Sequence, residues 1–375
     1  MSVTPLLDFL KNDGHDGPQL NRLIPPAAMP GGEIEVHGSN LGPNAGSGPS
    51  VGVHSGSNGG PRGLELPTAS IGDTPAAIAL ARRNRITVRI TEGSISGDLV
   101  LHRNGVASNP LYARIAVPMA ENLHPVANPA VDSEGRVFTT FSGSRGQEVP
   151  VSIFAIGRDF QMRPFVRGLM NPTGLAFDRQ GVLYASCRAD GTIHRITADG
   201  VARQFAEGLG IATGIAFDAA GNLYVGDRSG TIFKIVMVRG MAEPKNIFVF
   251  ATLEPSMAAY HLAFNGQGTL FVTGPTTSSN QAVHAIAPDG TTTVFYHGLG
   301  RAQGMAFDVD DNLYVAASVH GQRGIVRITP DREASLAVSG SNLVGLAFLE
   351  DGCAALATRD ALYHVALDIE GRRLV

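Results

Sequence analysis

The rhythm of apolar and polar positions along this chain changes at about residue 126. Beyond it, short unbroken apolar runs are followed by tight turns and then by a second, mostly apolar segment. The clearest instance is Asn171-Pro172-Thr173-Gly174-Leu175-Ala176-Phe177-Asp178-Arg179-Gln180-Gly181-Val182-Leu183-Tyr184-Ala185. It reads as a strand, a turn opened by Asp178 and closed by Gly181, and a second strand. The phrase returns at 212–225, 260–272 and 302–315, more loosely at 343–356, and occurs first at 127–138. The turn positions of these copies, Asp132, Asp178, Asp218, Asn265, Asp308 and Leu349, are spaced by about 40 to 47 residues, the period of propeller blades. Further strands fit between the copies, at 192–196 and 201–205 and again at 324–328 and 334–338. The innermost runs are apolar on both faces, as expected of strands covered on both sides by neighbouring blades.

Ahead of residue 118 the period is two. Gly32-Glu33-Ile34-Glu35-Val36-His37 alternates and stops at Gly38-Ser39-Asn40-Leu41-Gly42, Ile86-Thr87-Val88-Arg89-Ile90 alternates again, and Gly97 to His102 gives a third strand. Asn104-Gly105 is a two-residue hairpin turn, because both central positions of that turn need positive φ. These signals predict a small β-sandwich over 24–117. The expected architecture is therefore all-β: an arm at 1–23 with a short amphipathic helix at 5–11, the sandwich, a linker at 118–125, and a six-bladed propeller over 126–375. The last blade closes either with 372–375 or with a strand before Pro118. A Gly/Ser/Pro-rich insertion at 43–63 is expected to be a surface loop.

Composition narrows the partners. The formal net charge is -4 and Lys occurs only at Lys11, Lys234 and Lys245, which gives no reason to expect nucleic acid or an anionic membrane. Cys187 and Cys353 lack ligand-type spacing and are expected as unpaired thiols. The first residues lack the pattern of a secretory signal, and no later run approaches a membrane span, so the expectation is a soluble, cytoplasmic protein. The oligomeric state is left open.

Two resemblances follow from the motifs. Pro30-Gly31-Gly32-Glu33-Ile34-Glu35-Val36-His37-Gly38-Ser39-Asn40-Leu41-Gly42 resembles the opening of an IPT/TIG immunoglobulin-like domain, and Asn104-Gly105-Val106-Ala107-Ser108-Asn109-Pro110 is similar to its end. The phrase Gly214-Ile215-Ala216-Phe217-Asp218-Ala219-Ala220-Gly221-Asn222-Leu223-Tyr224-Val225 resembles NHL-repeat propellers and, more distantly, the gluconolactonase group. The second resemblance implies a divalent cation in the channel, held by acidic and Asn side chains just before the inner apolar run. The residues there are Ala127, Thr173, Thr213, Tyr260, Gln303 and Val344, none of them a carboxylate. No cofactor is predicted, with calcium or another divalent cation left open.

Thr173, Thr213, Tyr260, His261 and Gln303 are the expected ligand-binding groups of the channel. His261 stands where other copies have Gly174, Gly214, Gly304 and Gly345, and offers either a buried, satisfied imidazole or an acid/base group. Arg188, Asp227, Arg228 and His320 follow second strands and extend the candidate site; Asp227-Arg228 also fits a blade-to-blade structural pair. Ser142-Gly143-Ser144 and Ser339-Gly340-Ser341 read as turns rather than nucleophile elbows. Two functional classes remain: a protein binding a small molecule or a protein partner at the propeller face, and a gluconolactonase-like hydrolase or lyase using His261 with Tyr260 on a small lactone or ester.

Overall fold

A computed structural model describes residues 17–43, 66–143, 147–237, 246–277 and 281–372. The helix expected at 5–11, nearly all of the insertion expected at 43–63 and residues 373–375 lie outside them.

The protein is all-β and built around a β-propeller. Three separate sheets of four antiparallel strands share one plan, most clearly Pro172–Phe177, Leu183–Cys187, Thr192–Ile196 and Ala202–Ala206. The next begins with Ala212–Phe217 and Leu223–Asp227, and the third with His261–Phe264 and Leu270–Thr273. A fourth sheet opens with the short strand Ala130–Val131 beside Val137–Thr140. A fifth runs Leu343–Phe348, Cys353–Thr358, Ala361–Ala366 and, outermost, Val117–Glu121. The remaining meander, Met305–Phe307, Leu313–Val319, Gln322–Ile328 and Ala334–Ser339, is one end of a thirteen-stranded sheet. The first strands of these six groups contact one another in chain order, and Leu343–Phe348 returns to contact Ala130–Val131.

Local chemistry explains the repeat. The Asp218 carboxylate accepts from Ala220 N (2.9 Å), Asn222 N (2.8 Å) and Asn222 Nδ2 (2.8 Å) in its own turn. Asp178 and Asp308 accept the same two backbone bonds in theirs, Asp308 also takes Asn312 Nδ2 (2.7 Å), and Asn265 replaces the carboxylate with an amide oxygen. A ring from the second strand of five of the six groups then reaches the next sheet. Tyr184 meets Phe205 of its own sheet and Phe217 of the next, both edge-on at 5.1 Å. Tyr224 repeats this with Phe250 and Phe264 at 5.0 Å, and Tyr314 reaches Phe348 at 5.1 Å. These edge-to-face contacts add specific geometry to the buried area.

Two boundaries differ from the sequence reading. Val117–Glu121 is a strand, not a linker: it pairs with Ala361–Ala366, and a register shift between Pro118 and Ala120 accommodates the proline. The end of the expected arm is also a strand, Gln19–Ile24, paired with Glu33–Ser39. The N-terminal strands pack around Ile34, Val36, Ile86, Val88, Leu99 and Leu101. Asn104 and Gly105 take φ of 52° and 77°, as the hairpin between Gly97–Arg103 and Val106–Ala107 requires. This region is not isolated from the propeller. Ala27–Ala28 lies parallel to both Leu111–Ile115 and Ala334–Ser339, and Met29 N donates to Ser339 O (2.8 Å). The outermost strand of the meander is thereby covered rather than left as an open edge. No helix among the described residues is long and apolar enough to cross a membrane.

Candidate functional site at the channel mouth

The inner strands meet at a layer of glycines. A Cβ at Gly174 would lie 2.4 Å from Thr213 O, one at Gly214 would lie 2.3 Å from Tyr260 O, and one at Gly304 would lie 2.6 Å from Gly345 Cα. Two positions of this layer carry side chains. His261 lies against Gly214, and Asn128 donates from Nδ2 to Met305 O (2.7 Å) and accepts from Leu346 N (3.2 Å).

One residue nearer the strand starts, the chain opens into a cavity of about 360 Å³. Thr173, Thr213, Gln303 and Val344 line it from the inner strands and their approaches. Arg188, Arg228 and Arg359 line it from the loops after three second strands, and His124 and Met257 complete parts of the wall. The threonines serve the scaffold as well: Thr213 Oγ1 donates to Gly226 O (2.8 Å) and accepts from Tyr260 N (3.1 Å). Gln303 is held by its Nε2 on Leu343 O (3.1 Å). His124 Nδ1 is bonded to Ser142 O, which orients the ring.

Five of the expected ligand-binding residues thus converge: Thr173, Thr213, Gln303, Arg188 and Arg228. The other four do not line the cavity. Tyr260 is 3% exposed, packs over Gly226 and Gly274, and donates its hydroxyl to Glu254 O. Burial first, with the charge of Glu254 adding to it, pushes that phenol up to about 12. Asp227 is buried, and its carboxylate accepts from Ile211 N (2.8 Å) and Ser229 N (3.2 Å), tying the approach to its sheet's first strand to the loop after the second. His320 sits at the exposed tip of the hairpin between Leu313–Val319 and Gln322–Ile328, with φ of 50°.

His261 is 3% exposed, and burial lowers its pKa to about 4. It is therefore a neutral side chain of the packed layer at neutral pH. The linkage has a definite sign. Between the ordinary histidine pKa near 6.5 and about 4, the unfolded chain takes up a proton that the folded one refuses. Stability is complete above pH 6.5 and falls as the pH drops toward 4, by about 3 kcal/mol for this group alone. Melting curves of the protein and of His261→Gln should converge over this range as acid is added. Parallel curves from pH 7 to 4 would refute the assignment.

Sequence reasoning missed Arg359, His124 and Asn128. A signal existed for two of them: Asn128 occupies the glycine position of its copy, and Arg359 follows its second strand as Arg188 and Arg228 follow theirs. The donor set of the mouth does not fit a hard divalent cation, because no carboxylate lines it and three guanidinium groups do. Among the described residues no group of three or more His, Cys, Asp or Glu side chains could hold a metal ion. The buried Cys187 thiol is pushed up to about 12, chiefly by burial, which keeps it protonated and unreactive.

No family model matches the chain, and no curated protein sequence matches it. Solved structures do. A structural-genomics protein of unknown function from Bacteroides thetaiotaomicron superposes with a TM-score of 0.55 at 11% identity, over 94% of this chain and 99% of that one. A gluconolactonase from Xanthomonas campestris superposes with a TM-score of 0.51 at 15% identity, over 68% of this chain and 90% of that one. At such identities the likeness extends to the fold and no further. The chain is a β-propeller protein that shares its ring architecture with gluconolactonases.

Proposed function

We propose that this is a ligand-binding protein: a six-bladed propeller of NHL type, stapled to an IPT/TIG-like sandwich, that takes a small molecule at the mouth of its channel. The observation that carries the reading is the cavity of about 360 Å³, lined by the same register position, Thr173, Thr213, Gln303 and Val344, of four strand groups. Its size lies within the range of small-molecule sites. A lactone or ester hydrolysis of gluconolactonase type would need its acid/base groups at that mouth. His261 and Tyr260 are instead packed in the interior, so binding is the reading preferred here.

Ala258 is exposed, lines the cavity and lies outside the regular strands, which makes it a place to plug the mouth without disturbing the core. Ala258→Trp should leave the melting temperature within about 2 °C of the parent, as surface changes do. Small molecules found by thermal-shift screening should then lose their stabilising effect. Hits that stabilise Ala258→Trp as much as the parent would place binding elsewhere and remove the basis of the reading.

A further inference from the structure

The charge of the mouth is uneven, and its unevenness is built into the register. Pro172 pairs with Cys187, Ala212 with Asp227 and Leu343 with Thr358, and in each case the next residue is an arginine: Arg188, Arg228 and Arg359. The equivalent positions in the other three groups are Ser142, Pro275 and Ser318, all uncharged. In the order of the ring, the sheets bearing Arg359 and Arg188 flank the one that begins at Ala130–Val131, the sheet bearing Arg228 follows that of Arg188, and His124 lines the cavity on the same side. The opposite side is furnished by Met257, Ala258, Ala259 and Gln303. Half of the mouth is cationic and half is neutral or apolar.

None of the three arginines makes an ion pair with a described carboxylate, although the described surface holds several Arg–Asp and Arg–Glu pairs. Burial, and then the neighbouring Arg228 charge, pull the Arg188 guanidinium below its ordinary pKa. Arg188 is half-buried and Arg228 and Arg359 are exposed, and like charges gathered at one cavity suit an anion of opposite charge. Guanidinium groups present paired N–H donors that match the oxygens of carboxylate and phosphate. On the other side of the mouth Met257 is 61% exposed, an apolar side chain at the cavity itself, and Ile211, 41% exposed, adds an apolar side chain next to Arg228, whose N donates to Ile211 O (3.1 Å).

Resting on the binding reading above, we propose that the ligand is a small organic oxyanion, a carboxylate or a phosphate ester. Its charged group sits among Arg188, Arg228 and Arg359, and its uncharged body lies against Met257 and Ala258.

The test is calorimetric titration of the full chain at low ionic strength with phenyl phosphate, benzoate and, as an uncharged match, benzyl alcohol. At least one anion should bind about tenfold or more tightly than the alcohol, and added salt should weaken it. Phenyl phosphate ahead of benzoate points to a phosphate ester, and the reverse to a carboxylate; either supports the proposal. Arg188→Gln/Arg228→Gln should bring the anion down to the level of the alcohol while leaving the melting temperature unchanged or raised, since two like charges are removed. Equal binding of anion and alcohol, lost in Ala258→Trp, would overturn the oxyanion class and leave the site standing. Anion binding that survives in Ala258→Trp would overturn both. No detectable binding of either anion at millimolar concentration would also refute the oxyanion assignment.

Discussion

Phe271→Ala is expected to lower stability by about 3–5 kcal/mol, the range for deleting a large buried aromatic side chain. Phe271 is 5% exposed and joins two sheets: its ring meets Phe295 edge-on at 5.0 Å and Phe307 of the following group at 4.9 Å. Truncation leaves a void between sheets that rigid strands cannot close, and it removes two aromatic pairs beyond the lost area. The melting temperature should fall by roughly 10 °C, whereas Phe248→Ala, at a position 53% exposed, should move it far less. Equal shifts for the two variants would show that the bridge between sheets contributes nothing special. A second comparison isolates the turn chemistry. Tyr224 and Tyr314 direct their hydroxyls to Asp218 (3.3 Å) and Asp308 (3.2 Å), but the corresponding turn residue for Phe271 is Asn265. Phe271→Tyr alone should be destabilising, and Asn265→Asp added to it should recover part of the loss by restoring the pair found in the other copies.

That pairing of turn and ring also explains what could be read from the sequence. Asp178, Asp218 and Asp308 bond to backbone two and four residues ahead, so the whole device lies within one short phrase. Thr173, Thr213, Gln303, Arg188 and Arg228 were legible for the same reason, since counting from the turn fixes which end of the strand each occupies. Elements whose partners are distant in sequence were not legible. Val117–Glu121 pairs with Ala361–Ala366 from the other end of the chain, and Pro118 disguises it as a linker. Gln19–Ile24 does not alternate, because Asn21-Arg22 puts two polar residues in succession where the register shifts, and nothing local announces its pairing with Glu33–Ser39. Arg359 escaped notice because its copy has lost the turn signature: Leu349 replaces the aspartate, and a short 3-10 turn at Glu350–Gly352 does its work. Tyr260 and His261 were placed correctly along the strand. Which side of a strand start faces the channel and which faces the neighbouring sheet depends on packing that the repeat does not encode.

Gly304→Ala is the second change expected to have a large effect, about 2–4 kcal/mol, although it adds a single methyl group. The new Cβ would lie 2.0 Å from Asn128 Oδ1, 2.6 Å from Gly345 Cα and 2.7 Å from Val344 O. Two of those atoms are backbone and cannot swing away; the third belongs to a side chain that bonds both Met305 O and Leu346 N. Overpacking of this kind costs about 1–3 kcal/mol, and displacing Asn128 adds about one more for its lost hydrogen bonds. Gly181→Ala is the informative contrast. There φ is +75° and nothing lies within 4 Å, so the cost is that of a left-handed backbone alone, about 1 kcal/mol. Asn128→Gly placed in the Gly304→Ala background should relieve the contact with Oδ1 and leave the two backbone contacts, giving partial recovery. Should Gly304→Ala prove no more harmful than Gly181→Ala, the glycine layer would have slack, and close approach of the inner strands would not be what sets the width of the channel. The functional consequence follows from register: Gln303 and Val344 line the cavity and adjoin Gly304 and Gly345 in the chain. A layer forced apart at Gly304 therefore moves the mouth itself, and ligand binding should weaken in Gly304→Ala even at temperatures where the protein remains folded.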